Sequence, residues 1–336
     1  VTIVVSAPAK LVLAGEYVVL DGAPALVTAV NRRVRVTLSA SDMWTLTSDA
    51  VPGHAHALLA DVPSPALGGR LVPNALLQIL GPDWSAHPPM RVHIESAALR
   101  DPGAGVSMGL GSSAAVVVAL TGALRQLAGA PPDDGAAFAL SRALHHQWQG
   151  DLGSGIDIAA AHHGGTLLFQ RDPDGGDEPR VAALPRPRGL EWQAWFTGKK
   201  VSTRSFVSTL RAARSDDPAG YERQMGALGE AAAAVTATWQ SGRLPELLAA
   251  VRRHHDAMAA LGHWAELPIV SRTHAELAAL AARVDAAYKP SGAGGGDVGI
   301  AFAAHPATLS LLEDLARPAG YRPLALAVDP RGVSLE

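Results

Sequence analysis

The chain has 336 residues, 48% of them hydrophobic and 18% charged, with a formal net charge of −3 and no cysteine. Such a composition supports a packed core, and the lack of a basic excess argues against a nucleic-acid protein. Without cysteine there are no disulfides, thiolate nucleophiles or cysteine-ligated zinc sites, which suits a cytoplasmic protein.

The length exceeds that at which one hydrophobic core usually keeps growing, so two domains are expected. Thr2–Ala7 is a β-branched run and predicts a strand. No stretch reads as a membrane span: the most apolar early segment, Leu11–Val30, contains Glu16 and Asp21 and is broken by Gly15, Gly22 and Pro24. The N-terminus lacks the basic start and unbroken apolar core of a signal peptide. Val34, Val36 and Leu38 alternate with Arg33, Arg35 and Thr37, the pattern of a half-buried strand, and Met90–Glu95 alternates similarly. A glycine-rich stretch from Gly103 to Gly111 leads through Ser112 and Ser113 into a predicted helix, Ala114–Leu124. Ala136–Gln147 predicts a second helix and Gly164–Gln170 a strand. Arg171–Gly189, dense in proline, glycine and charge, is a linker or a long hairpin. The domain boundary is placed at its end, giving units 1–190 and 191–336. Beyond it, Tyr221–Gln240, Leu244–Leu261 and His274–Ala287 predict helices. Strands Gly299–Ala303 and Pro323–Val328 flank a helix at Ala307–Ala316. The mixture, without strict βα alternation, predicts an α+β fold.

Three segments carry chemistry. Gly103, Gly105, Gly109 and Gly111 precede Ser112-Ser113 and an apolar helix. Helix starts present unpaired N–H groups to anions, and glycines let the backbone come close. Read alone, the segment fits a serine-capped turn equally well. It also matches the dinucleotide fingerprint by letter, but no clear strand precedes it, and Asp133 and Asp134 sit in a turn sequence. No Gly-Lys-Ser/Thr follows, which excludes a Walker A loop. The second segment is Ala7 to Gly22. There Lys10 leaves a strand and enters an apolar run ending in Gly15-Glu16-Tyr17; its ammonium either meets phosphate or snorkels to solvent. The third, Lys289 to Phe302, has more glycines than a turn needs. Of 28 Lys+Arg only Lys10, Lys199, Lys200 and Lys289 are lysines. The pairs His145-His146, His162-His163 and His254-His255 are sequence neighbours, which on a helix point apart and rarely chelate.

In order and separation, the three segments resemble the motifs of the galactokinase, homoserine kinase, mevalonate kinase and phosphomevalonate kinase (GHMP) superfamily. The detail is most similar to the phosphomevalonate kinases. It rests on Gly15-Glu16-Tyr17 with Asp21-Gly22-Ala23-Pro24-Ala25, Lys289-Pro290-Ser291-Gly292 through Asp297, Gln149 through Ala159, and Phe196-Thr197-Gly198 with Ser202-Thr203. The resemblance implies a two-domain α+β fold with the active site between the domains. It implies ATP and Mg2+ as cofactors, a small-molecule acceptor, and no nucleic-acid or membrane partner; a homodimer is compatible with it. The acceptor it implies is phosphomevalonate; mevalonate or another small alcohol or sugar is the alternative, and a non-catalytic relative is the third reading.

By that resemblance Lys10 and Asp157 are catalytic, with Asp157 orienting or deprotonating the acceptor oxygen and Lys10 stabilising charge. Gly109, Leu110, Gly111, Ser112, Ser113 and Ala114 surround the ATP phosphates, with Ser112 or Ser113 on magnesium. Glu16, Tyr17, Ser154, Gly155, Lys199, Lys200, Ser202, Thr203, Gly292, Ala293 and Gly294 form the substrate side. Two departures stand out. Mevalonate kinases carry a glutamate where this chain reads His145-His146-Gln147. Relatives commonly carry a lysine just before the loop, where this chain reads Val106-Ser107-Met108; Lys199, Lys200 or Arg204 is expected to replace its charge.

Overall fold

The structure is a computed structural model and describes residues 1–57, 71–103, 105–149, 153–172, 178–199 and 203–336. Its strands are β1 (Thr2–Ala14), β2 (Ala25–Ala40), β3 (Thr45–Ser48), β4 (Val51–Ala57), β5 (Met90–Glu95), β6 (Thr166–Gln170), β7 (Arg180–Ala183), β8 (Glu191–Phe196), β9 (Ala287–Pro290), β10 (Val298–Ala303), β11 (Pro323–Leu324) and β12 (Ser334–Leu335). Its α-helices are α1 (Leu71–Leu80), α2 (Ser112–Leu127), α3 (Gly135–Gln149), α4 (Ile156–His163), α5 (Thr203–Asp216), α6 (Pro218–Ser241), α7 (Leu244–Trp264), α8 (Arg272–Arg283) and α9 (Pro306–Ala316). The α+β expectation is met by two sheets with helices packed on them. None of the described helices is long and apolar enough to cross a membrane.

The larger sheet runs β12-β1-β2-β5-β3-β4, with β6 added to β2 and β7 to β6; the smaller runs β11-β8-β10-β9. Every ladder is antiparallel except β3 with β5. The central ladder joins β1 to β2 from Thr2 opposite Ser39 to Ala14 opposite Leu26, with irregularities after Pro8 and Val12. Proline lacks the ladder donor, so a shift of register beside Pro8 keeps the strand continuous. Core packing is unbroken between the sheets: one cluster contains Val5, Val36 and Val117 together with Trp239, Leu247 and Ile300.

Several elements differ from expectation for identifiable reasons. The first strand does not end at Ala7. It continues to Ala14 because both its faces are buried, which removes the alternation that marks a strand in sequence. Lys10 therefore sits within a strand rather than beyond one. Within the proline-rich stretch, β7 pairs antiparallel with β6, Phe169 opposite Val181; residues 173–177 of it lie outside the described residues. The predicted helix to Ala287 stops at Arg283: Asp285 adopts φ 61, and buried Ala287 and Tyr288 pair with β10 instead. Packing here overrides alanine's helix preference. The predicted strand Pro323–Val328 is split. Pro323 and Leu324 pair with β8, whereas Val328 bridges to Val30 of the other sheet. Helices α4 and α5 have no counterpart among the predicted elements.

Candidate functional site

The loop before α2 is held by backbone geometry that only glycine tolerates. Gly109 has φ +73, and a Cβ there would stand 2.3 Å from Asp297 Cγ. The helix N-cap is Gly111 at φ 78, with no side chain capping the first turn. The N–H groups of that turn therefore face a cleft of about 530 Å3 with the helix dipole behind them. The loop is tied to β1 by the Lys10 N–H, which donates to the Leu110 carbonyl at 2.9 Å.

Lys10 projects from β1 into the same cleft, where its Nζ lies 3.5 Å from Asp157 Oδ1. Asp157 occupies the first turn of α4, behind the left-handed N-cap Gly155. Its carboxylate is 30% exposed and the Lys10 side chain 9%. The pair is thus sheltered but open on the cleft side. Ser113 Oγ is 3.2 Å from His145 Nε2 and accepts from Gln149 Nε2 at 3.0 Å. Burial lowers the His145 pKa, only partly offset by nearby Asp157, so the ring is neutral at pH 7.

The segments at the two ends of the chain meet below this pair. Glu16 Oε1 accepts from the ammonium of Lys289, and from the Gly292 N–H at 3.3 Å. Lys289 is fully enclosed and also donates to the Pro290 carbonyl at 2.6 Å. Ser291 Oγ accepts from the Val12 N–H at 2.9 Å and donates to the Val12 carbonyl at 3.0 Å. Tyr17, at φ 64, donates its hydroxyl to the Ala293 carbonyl. His254 Nε2 accepts from the Gly15 N–H at 3.4 Å. Its pKa is pushed far down, first by burial and then by Lys289. Its contact with Glu16 Oε2 at 3.5 Å is therefore no ion pair.

Of the residues expected at the site, Lys10, Glu16, Tyr17, Gly109, Gly111, Ser112, Ser113, Ser154, Gly155, Asp157, Thr203, Gly292 and Ala293 all line the one cleft. Leu110 and Ala114 are buried beneath it. Gly294 is turned away, with a Cβ there 2.3 Å from the Ile269 carbonyl oxygen. Lys199 is exposed and does not line the cleft, although its carbonyl accepts from the Asp297 N–H at 2.6 Å. Lys200 and Ser202 lie outside the described residues. Lys289, which opens the third segment, forms a buried clamp with Glu16. His145, Trp148 and Asp297 also line the cleft, although none of them was expected among the site residues. His145 and Trp148 sit three apart on α3, a spacing that becomes a signal only once the helix is known to face the loop. Among the described residues no group of three or more His, Asp or Glu is arranged to hold a metal ion.

Residues 72–165, which contain the loop and Asp157, match the model of the GHMP kinases N terminal domain. The chain is 31% identical over 379 aligned positions to a phosphomevalonate kinase of Streptomyces sp. (strain CL190), covering 99% of this chain and 98% of that one. It is 28% identical over 303 positions to a mevalonate kinase of Archaeoglobus fulgidus, covering 87% and 89% of the two chains. The fold matches a Streptococcus pneumoniae phosphomevalonate kinase in complex with phosphomevalonate and AMPPNP at a TM-score of 0.80 and 21% identity, over 97% of this chain and 99% of that one. With 31% full-length identity to a phosphomevalonate kinase and a family match across its own loop and Asp157, the chain belongs to the GHMP kinase family.

Proposed function

We propose that this kinase transfers the γ-phosphoryl group of ATP to phosphomevalonate, giving the diphosphate. The observation that carries the reading is the Lys10–Asp157 pair, 3.5 Å apart, in the cleft that the uncapped N-terminus of α2 also enters. Phosphoryl transfer requires positioning and charge neutralisation more than covalent help. The N–H groups of the Gly109–Ala114 turn hold the ATP phosphates. Lys10 meets the charge on the transferred group, and Asp157 holds Lys10 and the acceptor in place. The bond between the γ-phosphorus and the bridging oxygen breaks, with its electron pair leaving on ADP, and a new bond forms to an acceptor oxygen.

With a phosphate acceptor, whose second pKa is about 6, that oxygen is already ionised near neutrality and no proton need move. An alcohol acceptor such as mevalonate would need Asp157 as base. Ser112 and the Asp157 carboxylate supply hard oxygen donors at the cleft, and Ser113 Oγ is held by His145 and Gln149. Ser112 would hold magnesium there, and the ion would supply charge neutralisation across the phosphates when bound. Arg204 borders the cleft, donating to the Gln149 carbonyl at 2.7 Å, and replaces the lysine missing before the loop. Glu16 and Tyr17 shape the acceptor wall through their bonds to Lys289, Gly292 and Ala293. A domain division at residue 190 is supported by the sheets, whose strands come from either side of it, β12 excepted.

ADP release measured across phosphomevalonate, mevalonate, homoserine and galactose tests the acceptor. Turnover is expected to be fastest with phosphomevalonate. No turnover on it, with clear turnover on another alcohol, would overturn the assignment.

A further inference from the structure

A second cavity, of about 150 Å3, adjoins the cleft. It shares Tyr17, Leu20, Gly153 and Val207 with the cleft but no residue of the Gly109–Ser113 loop. It therefore opens away from the phosphate loop. Arg171 enters it from the end of β6, and Arg211 and Arg214 from α5. On α5, positions 204, 207, 211 and 214 fall along one face, so a cationic stripe runs from the cleft into the side cavity. Two of the guanidinium groups are anchored. Arg171 Nη1 donates to the Leu20 carbonyl at 3.0 Å, and the Arg214 guanidinium carbon lies 5.0 Å from the centre of the Tyr221 ring. Tyr221 in turn donates to Asp21 Oδ2 at 3.1 Å. Three guanidinium groups thus line a small cavity against one carboxylate, Asp21.

We propose that this pocket binds the carboxylate that the acceptor carries at the end remote from its phosphoryl-accepting oxygen. The inference rests on the phosphomevalonate reading, in which the acceptor has an anion at each end. Planar guanidinium groups hold a carboxylate through paired N–H donors, which a lone lysine cannot do. The pocket's size suits the end of a chain and not a whole nucleotide. A free phosphate shares this anionic-oxygen chemistry, and the test separates the two.

Binding of phosphomevalonate, its carboxylate methyl ester and inorganic phosphate is measured calorimetrically without nucleotide. The proteins compared are the wild type, the double variant Arg211→Gln/Arg214→Gln, and Asp21→Asn. Both arginines are exposed, so the variants keep the wild-type melting temperature. The double variant is expected to bind phosphomevalonate at least about tenfold more weakly. Asp21→Asn is expected to bind it about two- to threefold more tightly, an opposite sign that a merely structural role does not produce. The ester should bind wild type and double variant alike. Unchanged phosphomevalonate affinity in the double variant overturns the proposal, as does an equal loss for acid and ester. A variant that loses only inorganic phosphate marks a free-phosphate site and also overturns it. Should the wild type bind phosphomevalonate with the expected arginine dependence yet fail to turn it over, the acceptor assignment falls and the pocket stands. No binding at all sinks both.

Discussion

Replacing Lys289 by methionine tests whether the two ends of the chain are joined by a buried ion pair. The Lys289 side chain is 0% exposed and that of Glu16 2%. In the wild type, Glu16 Oε1 takes the ammonium and the Gly292 N–H, while Oε2 has no hydrogen-bond partner. Methionine fills similar volume but leaves the carboxylate, only 2% exposed at the cleft wall, with one N–H donor. Breaking a buried pair from one side costs about 3–5 kcal/mol. For a chain of this size that corresponds to a fall in melting temperature of about 4–7 °C. Glu16→Gln should cost a comparable amount, because it strands the ammonium. The double variant Lys289→Met/Glu16→Gln should cost clearly less than the sum, since neither charge is then left alone. Thermal unfolding of the four proteins gives the cycle directly. A single variant within about 1 kcal/mol of wild type, or a strictly additive double variant, would refute the buried clamp.

Other consequences follow from the same geometry. Gly109→Ala drives a Cβ into Asp297 and demands φ +73 from alanine; the KM for ATP should rise by about tenfold or more, whereas an unchanged value would show that the loop shifts freely. His145→Ala leaves Ser113 Oγ with Gln149 alone; a rise of about three- to tenfold in KM for ATP is expected, restored in part by His145→Gln, and no change would detach His145 from the loop. Burial lowers both His162 and His274 to about 4. The unfolded chain takes up those protons near pH 6.5 and the native state does not, so their contribution is complete above 6.5 and declines as pH falls towards 4. By pH 5.5 each histidine should have cost about 1 kcal/mol, and a urea midpoint that stays flat from pH 7.5 to 5.5 would contradict this. Asp157→Asn separates acceptor classes. With an ionised phosphate acceptor the loss in kcat is expected to be about tenfold, against about 10²–10⁴-fold where the aspartate must remove an alcohol proton.

The glycine loop leading into α2 was legible because its signal is local: glycines, then serines, then an apolar run. Met90–Glu95 was legible because one of its faces is exposed and its residues alternate. The first strand was cut short at Ala7 because its continuation, Ala9-Lys10-Leu11-Val12, is buried on both faces and carries no period of two. Helix α4 is only eight residues long, and α5 is rich in Ser, Thr and Arg with only three buried apolar positions, so neither offers a long apolar run. Missing α5 hid the arginines of the side pocket, which gather only when positions 204 to 214 wind into one face. Lys289 illustrates a different limit. Its place at the start of the third segment was visible in the sequence, but only the enclosure of β9 and the position of Glu16 reveal the buried clamp. The Asp297–Gly109 contact likewise joins residues far apart in the chain, and no local pattern reports it.

The most direct measurement of the central claim follows phosphorus transfer itself. Wild-type protein and Lys10→Met are each incubated with ATP, magnesium and phosphomevalonate, and product is read by phosphorus NMR. The account predicts that wild type converts the acceptor phosphate into a diphosphate, with ADP formed in equal amount. It predicts that Lys10→Met, folded and melting cooperatively, does so at least about 10²-fold more slowly. A wild type that forms no diphosphate, or a Lys10 variant as fast as the wild type, would contradict it.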